Sequence, residues 1–286
     1  MANEGEQPDP LQGSTREWPV TPFTVEIREI LGPEPPAESA CCIAYLGGCT
    51  IQGGALEGAR VGHSEYLAGE TQFHLAVRLR RDFPGQPFVI RNFAEAGVTA
   101  GEFTERSGLE TVKAALPRVD VAFLRYGIAD RKAEGIPKTE ENIGVLCERL
   151  KDTFGGVTLI LETDMWVDYP THYIWDRNPK LAPLYERVRE LAAARGYPLV
   201  DIFANVEAET KRGNWDLRGR VIPAGRDHKV RDDTFDEFFG DDPAYFTDVH
   251  PNPRCLGLIA EWEVAKLREL FGDRLPSTSG MRADER

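Results

Sequence analysis

Two reactive side chains stand out by type and by setting. Cys49 follows directly on an apolar run, residues 41–46, and two glycines, Gly47 and Gly48. A buried strand that ends in a tight turn presents its next residue at the rim of the sheet. A thiol there, with an ordinary pKa of about 8.5, ionises far more easily than a hydroxyl. His250 stands near the other end of the chain, in Thr247-Asp248-Val249-His250-Pro251-Asn252, just before a long amphipathic run. An imidazole that takes up the thiol proton makes such a pair a nucleophile and general base. Asp248, two residues before His250 and on its side of an extended segment, is placed to orient the ring, a task a backbone carbonyl performs equally well. Taken singly, Cys49 is equally a small buried hydrophobe, and His250 equally a residue packed on the final helix.

Bringing these residues together requires a scaffold. Residues 41–46 are the first of five short apolar runs, the others being 87–93, 119–124, 157–161 and 199–203. Between them apolar residues recur at helical spacing. Leu75, Leu79 and Phe83 mark a helix over 69–83 that Pro84 and Gly85 close, and Leu109, Val112 and Leu116 mark another over 101–116. Ile143, Leu146, Cys147, Leu150 and Phe154 form a stripe on a helix capped by Thr139 and ended by Gly155 and Gly156. Further helices are expected over 183–195 and 253–271.

Strands that read as near-continuous apolar runs are covered on both faces. The alternation predicts an α/β fold: a single three-layer, doubly wound domain around a mostly parallel five-stranded sheet. The domain spans 21–271, with an extra edge strand over 21–30 and an irregular acidic insertion over 205–246. Tails at 1–20 and 272–286 have the composition of flexible segments. In such sheets ligands sit beyond the carboxyl ends of the strands.

Those ends carry the informative residues: Gly47-Gly48-Cys49-Thr50 after the first strand, Asn92 to Thr99 after the second, Tyr126-Gly127-Ile128-Ala129-Asp130 after the third, and the His250 stretch before the last helix. Their order and spacing resembles the SGNH, or GDSL-type, hydrolase family over about residues 40–270. The resemblance implies a flavodoxin-like SGNH hydrolase fold, ester hydrolysis, and a role for each matching position. Cys49 stands where the family has its nucleophilic serine, whose amide is one oxyanion donor, and Gly48 where the triplet has aspartate. Gly97 matches the oxyanion glycine. Ala129 stands where an asparagine supplies a further donor, and Thr247 where an aspartate precedes the histidine, which His250 keeps. Losing one oxyanion donor typically costs about 10²–10³ in rate. Two readings therefore stand: a hydrolase of a small carboxylic ester, such as an acetylated carbohydrate, working through Cys49 and His250, or an inactive scaffold that binds a carbohydrate or acyl ligand.

Arg125, Tyr126 and Asp130, at the end of the third strand, are candidates for substrate contact, with strand-end packing and helix capping as their structural alternatives. The stretch 162–177 carries Trp166, Tyr169, His172, Tyr173, Trp175 and Asp176. Such aromatic density, with Trp166 and Trp175 foremost, offers a wall for a sugar or acyl group.

Composition narrows the class. A net charge of -13 over 286 residues repels a phosphate backbone, so nucleic acid is not an expected partner. Five cysteines, an odd number without C-x-x-C spacing, read as reduced thiols. Nothing resembles a secretory signal or a run of about 18 apolar residues, so a cytoplasmic protein outside the membrane is expected. Residues 48–53 have the glycine spacing of a phosphate loop, but Gly54 and Ala55 replace its Lys-Ser/Thr. The acidic run at 232–237 looks like a Mg²⁺-binding terpene cyclase motif, yet the strand-rich first half excludes an all-helical cavity, and the run lacks calcium-loop spacing. It reads as a solvated acidic segment. No metal or organic cofactor is implied.

Overall fold

The structure, a computed structural model, describes residues 35–52, 70–167, 178–214, 217–221, 235–239 and 242–276. Its centre is a five-stranded sheet: β1 (Cys41–Gly47), β2 (Phe88–Asn92), β3 (Val121–Arg125), β4 (Thr158–Glu162) and β5 (Leu199–Val200). The order is β2-β1-β3-β4-β5, every pair parallel, so β1 is central and its carboxyl end lies where the strand order reverses. The helices are α1 (Cys49–Gln52), α2 (Glu70–Asp82), α3 (Ala100–Glu105), α4 (Gly108–Ala115), α5 (Ile128–Glu134), α6 (Ile136–Thr153), α7 (Asn178–Arg195), α8 (Ile202–Lys211) and α9 (Pro253–Phe271).

The period-two pleat divides β1 between two cores. Cys41, Ile43 and Tyr45 join Leu75 and Leu79 of α2, Phe83 just after it, and Ile259 and Leu267 of α9. Cys42, Ala44 and Leu46 join Phe103 of α3, Val112 of α4 and Leu146 and Leu150 of α6. All seven residues of β1 are buried. This is the expected three-layer, doubly wound arrangement, and adjacent Cys41 and Cys42 lie on opposite faces of the sheet.

Several boundaries move, each for a local reason. The helix expected over 101–116 is two, because Ser107 adopts a left-handed conformation (φ 63°, ψ 22°) between α3 and α4. Thr139 lies inside α6, where its hydroxyl donates to the Gly135 carbonyl (2.9 Å), and does not cap the helix. α7 starts at Asn178 and holds Pro183 within it. The fifth strand stops at Val200, since Asp201 accepts the Ala204 amide (3.2 Å) and opens α8.

The expectation of an irregular segment over 205–246 is corrected as well. α8 continues to Lys211, and β6 (Arg218–Val221), β7 (Phe235–Phe239) and β8 (Asp242–Pro251) form a second, antiparallel sheet in the order β6-β8-β7. The C-terminal tail does not fray at once: Leu275 is buried and its amide donates to the Gln86 side chain (2.6 Å). The expected edge strand over 21–30, the tail 1–20 and residues 277–286 lie outside the described residues. Among the described residues no helix is long and apolar enough to cross a membrane.

Candidate active site

The turn that presents Cys49 is held from three sides. A Cβ on Gly47 would strike the Arg125 carbonyl of β3 and come within 2.7 Å of Ile51 Cδ1, so only glycine lets β1 end this close to its neighbour. The Gly48 amide donates to that same carbonyl (3.2 Å) and the Gly48 carbonyl accepts from Ile51 (3.1 Å), starting α1. From the loop after β2, the Glu95 amide donates to the Gly47 carbonyl (3.0 Å). Buried Asn92 donates from Nδ2 to the Ile51 carbonyl (3.0 Å) and to Gln72 Oε1 (3.1 Å), while its Oδ1 accepts the Ala94 amide (3.0 Å). Cys49 is half-buried at the rim, and Cys41, Cys42, Cys147 and Cys255 are buried. Burial pushes the Cys42 thiol up to about 11 and the Cys147 thiol up to about 12, with Cys41 also well above its ordinary value.

The loop after β2 carries Gly97, exposed, with a φ of 78° that favours glycine. It leads into α3 through a capping box in which Thr99 and Glu102 bond each other's backbone amides. The loop after β3 is tied to it by Asp130, whose Oδ1 accepts the Ala100 amide (2.6 Å) and whose Oδ2 accepts the Gly127 amide (3.0 Å). Ala129 is half-buried and Gly127 has a φ of 146°.

These contacts correct the expected substrate roles at the end of β3. Asp130 is 1% exposed and bonded inward, a clamp between two loops. Tyr126 is 2% exposed, its ring 6.5 Å from that of Phe103, and burial pushes its phenol well above the ordinary value. Arg125 is fully buried. Its guanidinium faces Glu162 (Nε to Oε2 3.0 Å, Nη2 to Oε2 2.9 Å) and Glu263 of α9 (Nη2 to Oε1 3.4 Å), and Nη1 donates to the Thr50 carbonyl (3.3 Å). The Tyr45 hydroxyl donates to Glu263 (2.6 Å). A cation spent this way cannot reach a substrate carboxylate, and its work is to support the turn that carries Cys49.

Burial raises the Glu162 carboxyl against the pull of Arg125. Glu263 stands well above the usual carboxylate range, through burial and then the charge of Glu162. For Arg125 burial opposes the charge, but Glu162, Asp164 and Glu263 together hold its pKa above the ordinary value.

His250 lies near the end of β8, 6% exposed, and β8 packs against α1. Thr50, next to Cys49, donates its hydroxyl to Asp164 Oδ2 (2.9 Å), and the Met165 amide donates to Asp164 Oδ1 (2.8 Å). Asp164 is 3% exposed; burial raises its pKa, and Arg125, these hydrogen bonds and the charge of His250 oppose the rise. Asp248 belongs to the same strand and pairs with Phe235, but its side chain lies outside the described residues. Trp166 is partly buried and packs on the core, whereas Tyr169, His172, Tyr173, Trp175 and Asp176 lie outside the described residues, as do Gly53, Gly54 and residues 232–234. Among the described residues no group of three or more His, Cys, Asp or Glu side chains is placed to hold a metal ion.

Glu263 is a residue that sequence reasoning missed, and to Asn92, Thr50, Glu162 and Asp164, which lie in stretches it singled out, it gave no role. Asp164 carried a usable signal, an acid just past the carboxyl end of an apolar strand, where ligands of such sheets gather. Glu263 carried another, a carboxylate four residues after inward-facing Ile259.

No family model matches the chain, and no curated protein matches it. Solved structures do. A lipase/acylhydrolase from Enterococcus faecalis is 14% identical, with 82% of this chain and 100% of that one covered and a TM-score of 0.56. A candidate GDSL-like lipase from Parabacteroides merdae is 13% identical over 82% and 98% of the two chains, with a TM-score of 0.55. An acetyl xylan esterase is 14% identical over 78% and 98%, with a TM-score of 0.52. At this level of identity the likeness is one of fold, and the fold is that of the GDSL-type, or SGNH, hydrolases.

Proposed function

Starting from this hydrolase fold, we propose that the protein cleaves a small carboxylic ester with Cys49 as nucleophile and His250 as general base. The observation that carries the reading is the setting of Cys49: a half-exposed thiol beyond the carboxyl end of the central strand, on a helix packed against the strand of His250, in a chain whose other thiols are buried. His250 takes the thiol proton as Sγ attacks the acyl carbon. The amides of Cys49 and Gly97 bind the oxyanion of the tetrahedral adduct. Collapse breaks the ester C–O bond and the alcohol leaves with the proton from His250. Water, deprotonated by His250, then attacks the thioester and releases the acid and the thiol. Acetyl esters of carbohydrate are the substrate class we favour, because acetyl xylan esterase is among the proteins of like fold.

A specific observation supports a second reading. Ala129 brings a methyl group to a half-buried rim position where a polar side chain would add an oxyanion donor. Without that donor the same scaffold serves as a binding module for a carbohydrate or acyl group.

Alkylation separates the two. Iodoacetamide is expected to modify Cys49 ahead of the other four thiols, as read by peptide mass spectrometry, and His250→Ala to slow that modification at least tenfold, to about the rate of an unassisted thiol. Turnover of p-nitrophenyl acetate should be lost in Cys49→Ala, and Cys49→Ser should need Ala129→Asn to regain it. Slow labelling of Cys49 that ignores His250→Ala, with no turnover, would establish the binding module instead.

A further inference from the structure

Asn92, the last residue of β2, lies beside Tyr45 of β1 and is 1% exposed. Its carboxamide joins α1, α2 and the loop after β2. Nδ2 donates to the Ile51 carbonyl of α1 (3.0 Å) and to Gln72 Oε1 of α2 (3.1 Å), and Oδ1 accepts the Ala94 amide (3.0 Å) at the start of the loop that carries Gly97. These partners fix which way the group points, because a backbone amide can only donate and a backbone carbonyl can only accept. An ionised aspartate would offer Ile51 no donor, and an apolar side chain would make neither bond.

The two ends of this carboxamide are fastened to the two stretches that bear the oxyanion amides. On one side is α1, which begins at Cys49. On the other, past Ala94, the Val98 amide donates to the Glu95 carbonyl (3.3 Å) and Gly97 has a φ of 78°, a β-turn with glycine at its third position. The bond that closes this turn does not use the Gly97 amide. The Glu95 amide, donating to the Gly47 carbonyl (3.0 Å), holds the same loop against the turn before Cys49. We infer that Asn92 is a positioning residue, which holds the amides of Cys49 and Gly97 in the register that an oxyanion requires. The inference rests on the ester-cleavage reading and deepens it: with alanine at position 129, those two amides are the donors that reading leaves, and the bridge between their carriers sets how well they converge.

An alkylating agent and an ester make different demands on such a site. Iodoacetamide is attacked at a saturated carbon, where the Sγ–C bond forms as the C–I bond breaks and iodide leaves, and no oxyanion arises. Attack on p-nitrophenyl acetate builds one. A side chain that merely holds the fold changes both rates together. Asn92→Asp keeps the shape and the acceptor for Ala94 but loses the donor to Ile51, and Asn92→Ala removes the bridge without adding a charge. Each should lower kcat/KM for p-nitrophenyl acetate at least about tenfold, toward the ~10² that a displaced donor costs, while Cys49 alkylation stays within about twofold. Ester turnover that is kept, or that falls only in step with alkylation, overturns the inference and leaves the ester reading in place. Loss of the fold in both variants overturns it too, by assigning Asn92 to stability. If the unmutated protein turns over no ester, or Cys49→Ala turns over as much, the ester reading itself fails and the inference with it.

Discussion

Replacing Arg125 with methionine should be the most damaging single change beneath the site, and its cost follows from the charges around it. Arg125 is fully buried and faces Glu162 and Glu263, with Asp164 within electrostatic reach. The guanidinium is the positive charge set against the carboxyl groups of Glu162 and Glu263. Methionine keeps much of the side-chain volume and removes the charge. The two carboxylates are then left in the core without a cation, and the Thr50 carbonyl loses its donor. Breaking a buried pair from one side costs about 3–5 kcal/mol, a large part of the roughly 5–15 kcal/mol that holds a domain folded.

Urea denaturation reads this directly. With an m-value of about 3 kcal/mol per M, a loss of about 4 kcal/mol lowers the midpoint by more than about 1 M. Two companion variants make the reasoning specific. Glu263→Gln keeps the shape of an acid whose carboxyl stands well above the usual range, and should cost less than about 1 kcal/mol at neutral pH. Arg125→Met combined with Glu162→Gln removes one of the stranded anions, so its loss should fall short of the sum of the singles by at least about 1 kcal/mol. Additivity within about 0.5 kcal/mol, or a midpoint that barely moves in Arg125→Met, would refute the charge accounting.

Two further outcomes follow from the turn and from the loop clamp. Gly47→Ala drives a methyl group into the Arg125 carbonyl and toward Ile51, whereas Gly48→Ala meets nothing within 4 Å. The first should cost about 2 kcal/mol or more and the second less than about 0.5 kcal/mol, compared by thermal melting; equal losses would show that close approach of the strands does not dictate the glycine. Burial pushes Asp130 up to about 6, against the backbone amides that favour its carboxylate. A folded pKa above the ordinary 3.8 gives a contribution fully present below about pH 4 and lost as pH rises through 6, about 3 kcal/mol in all. Asp130→Asn should flatten this part of the slope in urea midpoints taken from pH 4 to 7, and an unchanged slope would assign the pH dependence to other groups.

The residues differ in how much of their role could be seen in the chain alone. The five apolar runs, the helices between them and the positions of Cys49 and Gly97 beyond strand ends are local properties. Period-two and period-3.6 patterns report which residues are covered, and Gly47-Gly48 reports where β1 must stop. The second sheet escaped the same reading because β6 is a short Arg-Gly-Arg-Val stretch and acids interrupt β7 and β8, so pairing across the chain outweighs local pattern. For Arg125 the sequence left substrate contact and strand-end packing both open for a related reason. Next to the apolar run of β3 it looks like a strand-end cation facing solvent, and only the arrival of Glu162 and Glu263 from β4 and α9 turns it inward.

By itself the sequence determined a doubly wound α/β fold and the turn at the end of the central strand that presents Cys49, because burial pattern and turn chemistry are written residue by residue. The tertiary structure alone decided that Arg125 is spent inside the core against Glu162 and Glu263, and that the Asp164 carboxylate takes the hydroxyl of Thr50 beside Cys49. A carboxylate's protonation and partner depend on every group brought to it by folding, and those groups lie far apart along the chain.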